Sequence, residues 1–340
     1  MASKDRESIM TRNKTTEYTE FNNLKNSFLT PCTPWLILLA ITLLSCQSAP
    51  KMADVFRDGR LPLEPGAYVY LLAEKDAIPV LQRLMFNNIN SAQLQQMADR
   101  TRFAAAAAYV APNGKAGALK PRYRLAAWGN YPASHAKMAM GSSKEWKKRR
   151  SPASGADYWY SPQIGYAVAV TGAMALVATA AEAGSEAPDP YSADPGTALP
   201  EGFAAFHKGS ILSFWLSNPA PAINQKIKEM GIPIELPAEQ VFVSLFPEDE
   251  RGANKRQAAE EQRTAEEQRY VARLQIQVPS ASHARGLTMM FAFARNFIPP
   301  QSELGILFAN PPVQDENNLK IATAPLTVRE IALLLKLFSL

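Results

Sequence analysis

The chain has 340 residues, 47% of them hydrophobic and 20% charged, and its 36 Lys and Arg against 31 Asp and Glu leave a formal net charge of +5. That is enough apolar sequence for one large core or two ordinary ones, so the chain reads as globular and in two parts. The positive charge is not gathered into one basic domain, which argues against nucleic acid as a partner. The two cysteines, Cys32 and Cys46, both lie in or beside an N-terminal apolar segment, which excludes a disulfide framework for the rest.

That segment, Trp35 to Ser45, carries no charge and follows Lys14 and Lys25, the layout of a secretory signal. Gln47, Pro50 and Lys51 end it well short of the roughly 20 apolar residues a spanning helix needs. The leader before it is long and holds Asp5, Glu7, Glu17 and Glu20; a start at Met10 shortens it. Leu43, Leu44, Ser45 and Cys46 resemble the lipobox of bacterial envelope lipoproteins, with an aliphatic residue three before the cut, a small residue just before it and cysteine just after. The resemblance implies a diacylglycerol on the Cys46 sulfur, cleavage before it and acylation of the new amino terminus. Residues 1–45 are then a signal peptide and 46–65 a lipidated tether. The membrane is the implied partner, reached through several acyl chains, and an uncleaved signal anchor is the alternative. Gln47 is not the aspartate that retains some lipoproteins at the inner membrane, so the periplasmic face of that membrane and the inner leaflet of the outer membrane are both open. The long leader, the lipobox and an Ala-rich body resemble uncharacterised lipoproteins of spirochaetes, a likeness that brings no active-site residue with it.

Beyond the tether, "GAYVYLLAEKD" from Gly66 predicts a strand, and "AIPVLQRLM" a helix with Ile78, Leu81 and Met85 at helical spacing. Thr101–Val110 and Arg122–Pro132 predict two strands joined by a turn-rich loop. "ASHAKMAMGSSKEW" reads as a helix and "DYWYS" as extended, with Tyr158 and Tyr160 on one strand face and Trp159 on the other. The uncharged run Ile164 to Ala181 has the composition of a weak membrane span. Gly172 in its middle, and Tyr166, Val168 and Val170 alternating with alanine, favour a buried hairpin. A Pro-rich acidic stretch, 182–202, predicts a linker.

The second half repeats the order. "SILSFWLSNP" predicts a strand, "APAINQKIKEMG" a helix, and "QVFVSLFPED" and "RYVARLQIQVP" two strands. "SASHARGLTMMFAFARNF" follows as a helix with Ser282 at its N-cap and Leu287, Met290, Phe291 and Ala294 in a stripe. "LGILFAN" and "NLKIATAPLT" predict two strands about a polar loop. "ASHAK" (133–137) matches "ASHAR" (281–285), and "VATA" (177–180) matches "IATA" (321–324), in the same order on the same predicted elements. The expected fold is therefore α+β: two tandem ferredoxin-like repeats, βαββαβ plus an extra strand, over 66–181 and 203–326, mainly antiparallel with helices on one face. Residues 327–340 predict a terminal amphipathic helix, its apolar face Ile331, Leu334, Leu335 and Phe338, docked on its own domain or on a partner or bilayer.

Motifs with assignable chemistry are absent. There is no G-x-S-x-G, no P-loop and no H-E-x-x-H, and Ser134 and Ser282 adjoin their histidines in sequence, which points the side chains apart. His135 and His283 occupy equivalent helix starts without ligand-spaced Cys, Asp or Glu, and His207 has no sequence partner, so neither metal nor another cofactor is expected. The strongest basic run, Lys144, Lys147, Lys148, Arg149 and Arg150, offers contact with an anionic surface, the alternative being a solvated helix end. "RQAAEEQRTAEEQR" (256–269) reads as a polar expansion of a loop. The expectation is a non-enzymatic envelope lipoprotein that meets an envelope protein or lipid. The alternative is a periplasmic small-molecule or lipid carrier with its pocket at the seam between repeats.

Overall fold

Most of the strands predicted from the sequence come together in one continuous sheet, some alternating buried and exposed residues and others buried on both faces. The computed structural model describes residues 60–81 except 79, 99–109, 122–180, 186–192, 197–229, 235–248, 268–296, 305 and 309–331. The signal segment with Cys46, the tether up to residue 59, residues 256–267 of the polar expansion and residues 332–340 of the terminal helix lie outside the described residues.

Twelve strands make the sheet. In chain order they are β2 (Val69–Glu74), β3 (Thr101–Tyr109), β4 (Arg122–Gly129), β5 (Lys147–Arg150), β6 (Asp157–Ser161), β7 (Tyr166–Val170), β8 (Met174–Thr179), β10 (Leu212–Ser217), β11 (Gln240–Pro247), β12 (Tyr270–Gln277), β13 (Val313–Asp315) and β14 (Asn318–Ala322). A two-residue β1 (Arg60–Leu61) pairs separately with β9 (Thr197–Ala198). Among the described residues the complete helices are α1 (Ala133–Ser142), α2 (Phe203–His207), α3 (Ala220–Glu229) and α4 (Ala281–Ala294). Across the sheet the order is β13-β14-β12-β11-β10-β2-β3-β4-β8-β7-β6-β5, every neighbouring pair antiparallel.

This is the expected α+β class with a mainly antiparallel sheet, but the strand order is not ferredoxin-like. A split βαβ unit places the two strands flanking a helix parallel, with another strand between them. Here the end of β2 faces the start of β3 (Glu74 opposite Phe103), and the end of β10 faces the start of β11 (Ser217 opposite Gln240). Each connection therefore returns the chain to the adjacent strand as a long hairpin, where a parallel pair would need a crossover to the far end. Nor do the halves form separate sheets. They meet edge to edge through β2 and β10, with Leu71 opposite Phe214 and Tyr70 opposite Trp215.

On either side of that seam the pairings run in the same order, β2-β3-β4-β8-β7 and β10-β11-β12-β14-β13. "ASHA" opens α1 in one half and α4 in the other, and the VATA and IATA segments lie on β8 and β14 and the residues just after them. The threonines of these segments make the same contact. Thr179 Oγ1 accepts the backbone N–H of Tyr123 at 2.7 Å, and Thr323 Oγ1 accepts that of Ala272 at 3.0 Å. Because the loss is one neutral hydrogen bond, Thr179→Val and Thr323→Val are each expected to cost about 1 kcal/mol in urea unfolding. Near-identical losses would match their equivalent positions, and a neutral result at either would remove this contact from the likeness of the halves.

Two local expectations change. Ser280, not Ser282, caps α4: its Oγ accepts the His283 N–H at 3.4 Å, while Ser282 Oγ bonds back to Ser280. The partner of β14 is Val313–Asp315, inside the segment read as a polar loop, because a two-residue turn with Glu316 at φ 53° closes the hairpin; residues 306–308 lie outside the described residues. The run from Ile164 forms the expected hairpin over Tyr166–Thr179, β7–β8, its turn held by Thr171 N–H to the Met174 carbonyl at 2.8 Å; Ala181 lies outside the described residues. No helix among the described residues is long and apolar enough to cross a membrane.

The sheet buries both faces over its first half. One face packs Ala136 and Met140 of α1 on Trp159, Val168 and Val170, and in the second half Ala284 and Leu287 of α4 on Leu319, Ile321 and Ile276, with Met290 and Phe291 beside them. Ile331, at the start of the terminal helix, joins that second core behind a Thr327–Glu330 capping box. The other face is aromatic: Tyr70, Phe103, Trp128, Tyr158, Tyr160 and Trp215 lie beneath Phe203 of α2 and Leu61 of β1. The described part of the Pro-rich stretch is laid on this face. Arg124 of β4 reaches out to the Asp189 carbonyl at 3.2 Å and the Ser192 hydroxyl at 2.8 Å, so the segment expected as a linker is part of the packed structure there.

Candidate functional site

The basic run is an edge strand and not a helix end. Helix α1 stops at Ser142, whose successor Ser143 donates its N–H to the Met140 carbonyl, and Lys144 lies exposed in the turn that follows. Trp146 is then buried with Met140 and Trp159, which pins the chain beside the sheet. Lys147–Arg150 can form a strand despite four consecutive cations because it has one neighbour only: all four residues are exposed at the last position of the described sheet. Lys148 lies opposite Trp159 and Arg150 opposite Asp157, whereas Lys147 and Arg149 lie opposite Tyr160 and Tyr158. Strand alternation thus sends the cations to both faces.

On the α1 side these residues border a groove of ≈ 470 Å³ lined by Lys137, Met138, Gly141, Trp146, Lys148, Asp157 and Trp159. Lys148 Nζ lies 2.7 Å from Asp157 Oδ2. That hydrogen bond, with the charges of Lys148, Arg150 and Lys137, holds the Asp157 carboxyl below its usual range. Trp159 is 4% exposed, and its indole N–H has no hydrogen-bond partner among the described residues.

A second cluster was not foreseen. His207 does have partners: its Nδ1 is 2.9 Å from Ser213 Oγ and 3.0 Å from Ser210 Oγ, Ser213 Oγ is 2.6 Å from Ser244 Oγ, and Nε2 is 3.7 Å from Glu74 Oε1. Serine, histidine and glutamate are the residue types of a hydrolase triad, yet Ser213 and Ser244 are 0% exposed and His207 2%. A substrate has no route to that hydroxyl, so the geometry describes a buried polar tie between α2 and the strands at the seam.

Arg124 centres a third polar group. Besides the Asp189 and Ser192 contacts it pairs with the Glu64 carboxylate, which Arg122 also approaches at 3.5 Å, while Tyr109 and Tyr70 donate to the Glu64 carbonyl. Burial pushes the Tyr109 hydroxyl well above the usual phenol range.

No protein-family model matches the sequence, and no curated protein does. Solved structures do: crystal form III of TP0453, a Treponema protein, superposes with a TM-score of 0.54 at 15% identity, covering 82% of this chain and 97% of that one. Form I gives 0.52 at 16%, with 81% and 96% covered, and form IV 0.51 at 16%, with 79% and 93%. The chain shares its fold with TP0453. At such identity the likeness to TP0453 concerns the fold alone.

Of the residues singled out from sequence, Lys147, Lys148, Arg149 and Arg150 are brought together on β5, with Lys144 in the turn before it. His135 and His283 are exposed at the starts of α1 and α4, which pack on β7 and on β13–β14 near opposite ends of the sheet, so they do not form a pair. No group of three or more His, Cys, Asp or Glu that could hold a metal occurs among the described residues. Cys46 lies outside them.

Proposed function

We propose that this protein is a non-enzymatic envelope lipoprotein, tethered by a lipidated Cys46 at the periplasmic face of the inner membrane or the inner leaflet of the outer membrane. Its duplicated sheet presents the β5 edge to an anionic surface of the envelope. The observation that carries the reading is the free edge itself, four exposed cations in a row on the outermost described strand. The Leu43-Leu44-Ser45-Cys46 lipobox supports the anchor, and the matching strand orders and threonine contacts support a duplicated unit. A carrier with its pocket at the seam is less favoured, because Tyr70, Leu72 and Trp215 fill one face of the seam and Leu71, Phe214 and Leu216 pack into the other.

The test has two readouts. Expressed in a bacterial host fed labelled palmitate, the full chain takes up label and Cys46→Ser does not; label on the serine variant defeats the anchor. The Cys46→Ser chain then binds vesicles containing phosphatidylglycerol in a salt-sensitive manner, and changing Lys147, Lys148, Arg149 and Arg150 together to Gln weakens binding by about 1 kcal/mol per charge near the surface. Binding indifferent to salt or to those four substitutions defeats the surface role.

A further inference from the structure

We infer that the β5 edge takes up an extended acidic peptide as an added antiparallel strand, with acidic and apolar side chains alternating along it. The inference rests on β5 being the contact edge, as proposed above, and names a protein partner for that edge. The backbone sets the geometry. Gly155 donates its N–H to the Ser151 carbonyl at 2.9 Å, and Ser151 donates its own to the Ala156 carbonyl at 2.8 Å, so Ser151 holds a hydrogen-bonded position in the turn that joins β5 to β6. Such positions alternate along an antiparallel pair. Arg149 and Lys147 therefore bond to β6, opposite Tyr158 and Tyr160, while the N–H and C=O groups of Arg150 and Lys148 point away from it at the end of the described sheet. An edge of this kind is a template for another strand.

Charge selects the strand that pairs there. Four cations in a row repel a second β5, which keeps copies of this chain apart, and favour a strand of opposite sign. The two faces of β5 suit different side chains. On the α1 face Lys148 is already paired with Asp157, and Arg150 Nε–H donates to the Gly155 carbonyl at 2.9 Å. On the other face Lys147 and Arg149 make no hydrogen bond or ion pair with the described residues. Acidic side chains placed opposite those two complete cross-strand pairs. Residues opposite Lys148 and Arg150 fall on the α1 face, beside the groove of ≈ 470 Å³ that Lys148 helps to line. There Met138 is 66% exposed and a Cβ added at Gly141 would meet nothing within 4 Å, which leaves room and an adaptable contact for an apolar side chain. In strand addition the main chain supplies affinity and alternate side-chain sites supply selectivity. The antiparallel direction continues that of the β5–β6 pair and is the more stable per residue.

The experiment titrates the full chain into a labelled, capped heptapeptide of alternating valine and glutamate and follows fluorescence anisotropy. The peptide should bind, and its counterpart with lysine for glutamate should bind at least about tenfold more weakly. N-methylation separates backbone pairing from mere attraction of charge. Methyl groups on the valine amides, which face β5, should weaken binding at least about tenfold, whereas methyl groups on the glutamate amides, which face solvent, should leave it within about twofold. On binding, hydrogen exchange should slow at the Lys148 and Arg150 amides and change little at Lys147 and Arg149. Changing Lys147 and Arg149 together to Gln, both exposed and so without consequence for folding, should weaken binding about fivefold. The inference is overturned if the acidic peptide fails to bind, if the lysine peptide binds equally well, if the two methylated peptides bind alike, or if exchange at Lys148 and Arg150 is unaltered. Any of those results alongside salt-sensitive vesicle binding overturns the strand pairing alone, whereas peptide pairing without vesicle binding defeats only the lipid surface.

Discussion

Replacing Arg124 by Met should destabilise the fold by about 3 kcal/mol, the low end of what removing one partner of a buried pair costs, and should release residues 186–192 from the sheet. Arg124 sits mid-sheet on β4 with only 8% of its side chain exposed, and its guanidinium serves the Glu64 carboxylate, the Ser192 hydroxyl and the Asp189 carbonyl at once. Methionine has comparable reach and no donors, so packing is largely kept while the Glu64 carboxylate and the Ser192 hydroxyl lose the guanidinium and the Asp189 carbonyl keeps only its bonds from Ser192. Arg122, 3.5 Å from the other Glu64 oxygen, relieves part of the loss, which is why the low end is expected. Arg124→Lys restores charge without the planar fork and should recover less than half of the difference. Urea unfolding gives the energy, and limited proteolysis tests the release: new cleavage within 186–192 at native temperature is expected. A loss below about 1 kcal/mol with an unchanged cleavage pattern would show that the Pro-rich stretch is held by something else.

The contrast between this segment and the strands shows what the sequence could reveal. "DYWYS" and "YAVAV" announce themselves because a short run of aromatic and β-branched residues without interior charge is what a strand buried on both faces requires. "KKRR" cannot announce itself in that way: a strand with a single neighbour and both faces in solvent needs no apolar residues, so its sequence is that of any solvated segment. The failure of the ferredoxin-like expectation has a different origin. Strand–helix–strand fits both a crossover and a helix-bearing hairpin, and only the pairing of Glu74 with Phe103 separates them. Arg124 left no such signal: it is a buried cation between half-buried Tyr123 and exposed Leu125, the reverse of what those residue types suggest. The His207 cluster left almost none, because its members come from β2, α2, β10 and β11 and meet only when the seam closes. For the same reason the groove was half legible: Trp159 was assigned to the face opposite the tyrosines, but α1 and the basic strand on either side of it came together only in the fold.

Whether the two halves behave as one body is decided at that seam, and Trp215→Ala is expected to lower stability by about 4 kcal/mol, within the range for removing a buried Trp side chain. Trp215 faces Tyr70 directly across β10 and β2 with ring centroids 5.4 Å apart, and its indole N–H donates to Gln240 Oε1 at 2.8 Å. The β2–β10 ladder is the one pairing through which the strands of the two halves are joined in the described sheet. A cavity opened there removes packing from both sides of the join, as Leu72→Ala would from the first half. If the sheet unfolds as a single cooperative unit, both variants shift one transition to lower urea, with circular dichroism and tryptophan fluorescence coinciding throughout. If the halves unfold independently, Trp215→Ala moves one phase and leaves another at the wild-type midpoint. The first outcome is expected because neither half keeps its edge covered without the other: separation exposes the backbone groups of β2 and β10 along Val69–Ala73 and Leu212–Leu216 together with the aromatic face above them. Two halves that share their innermost strands in this way gain a continuous core and give up their independence.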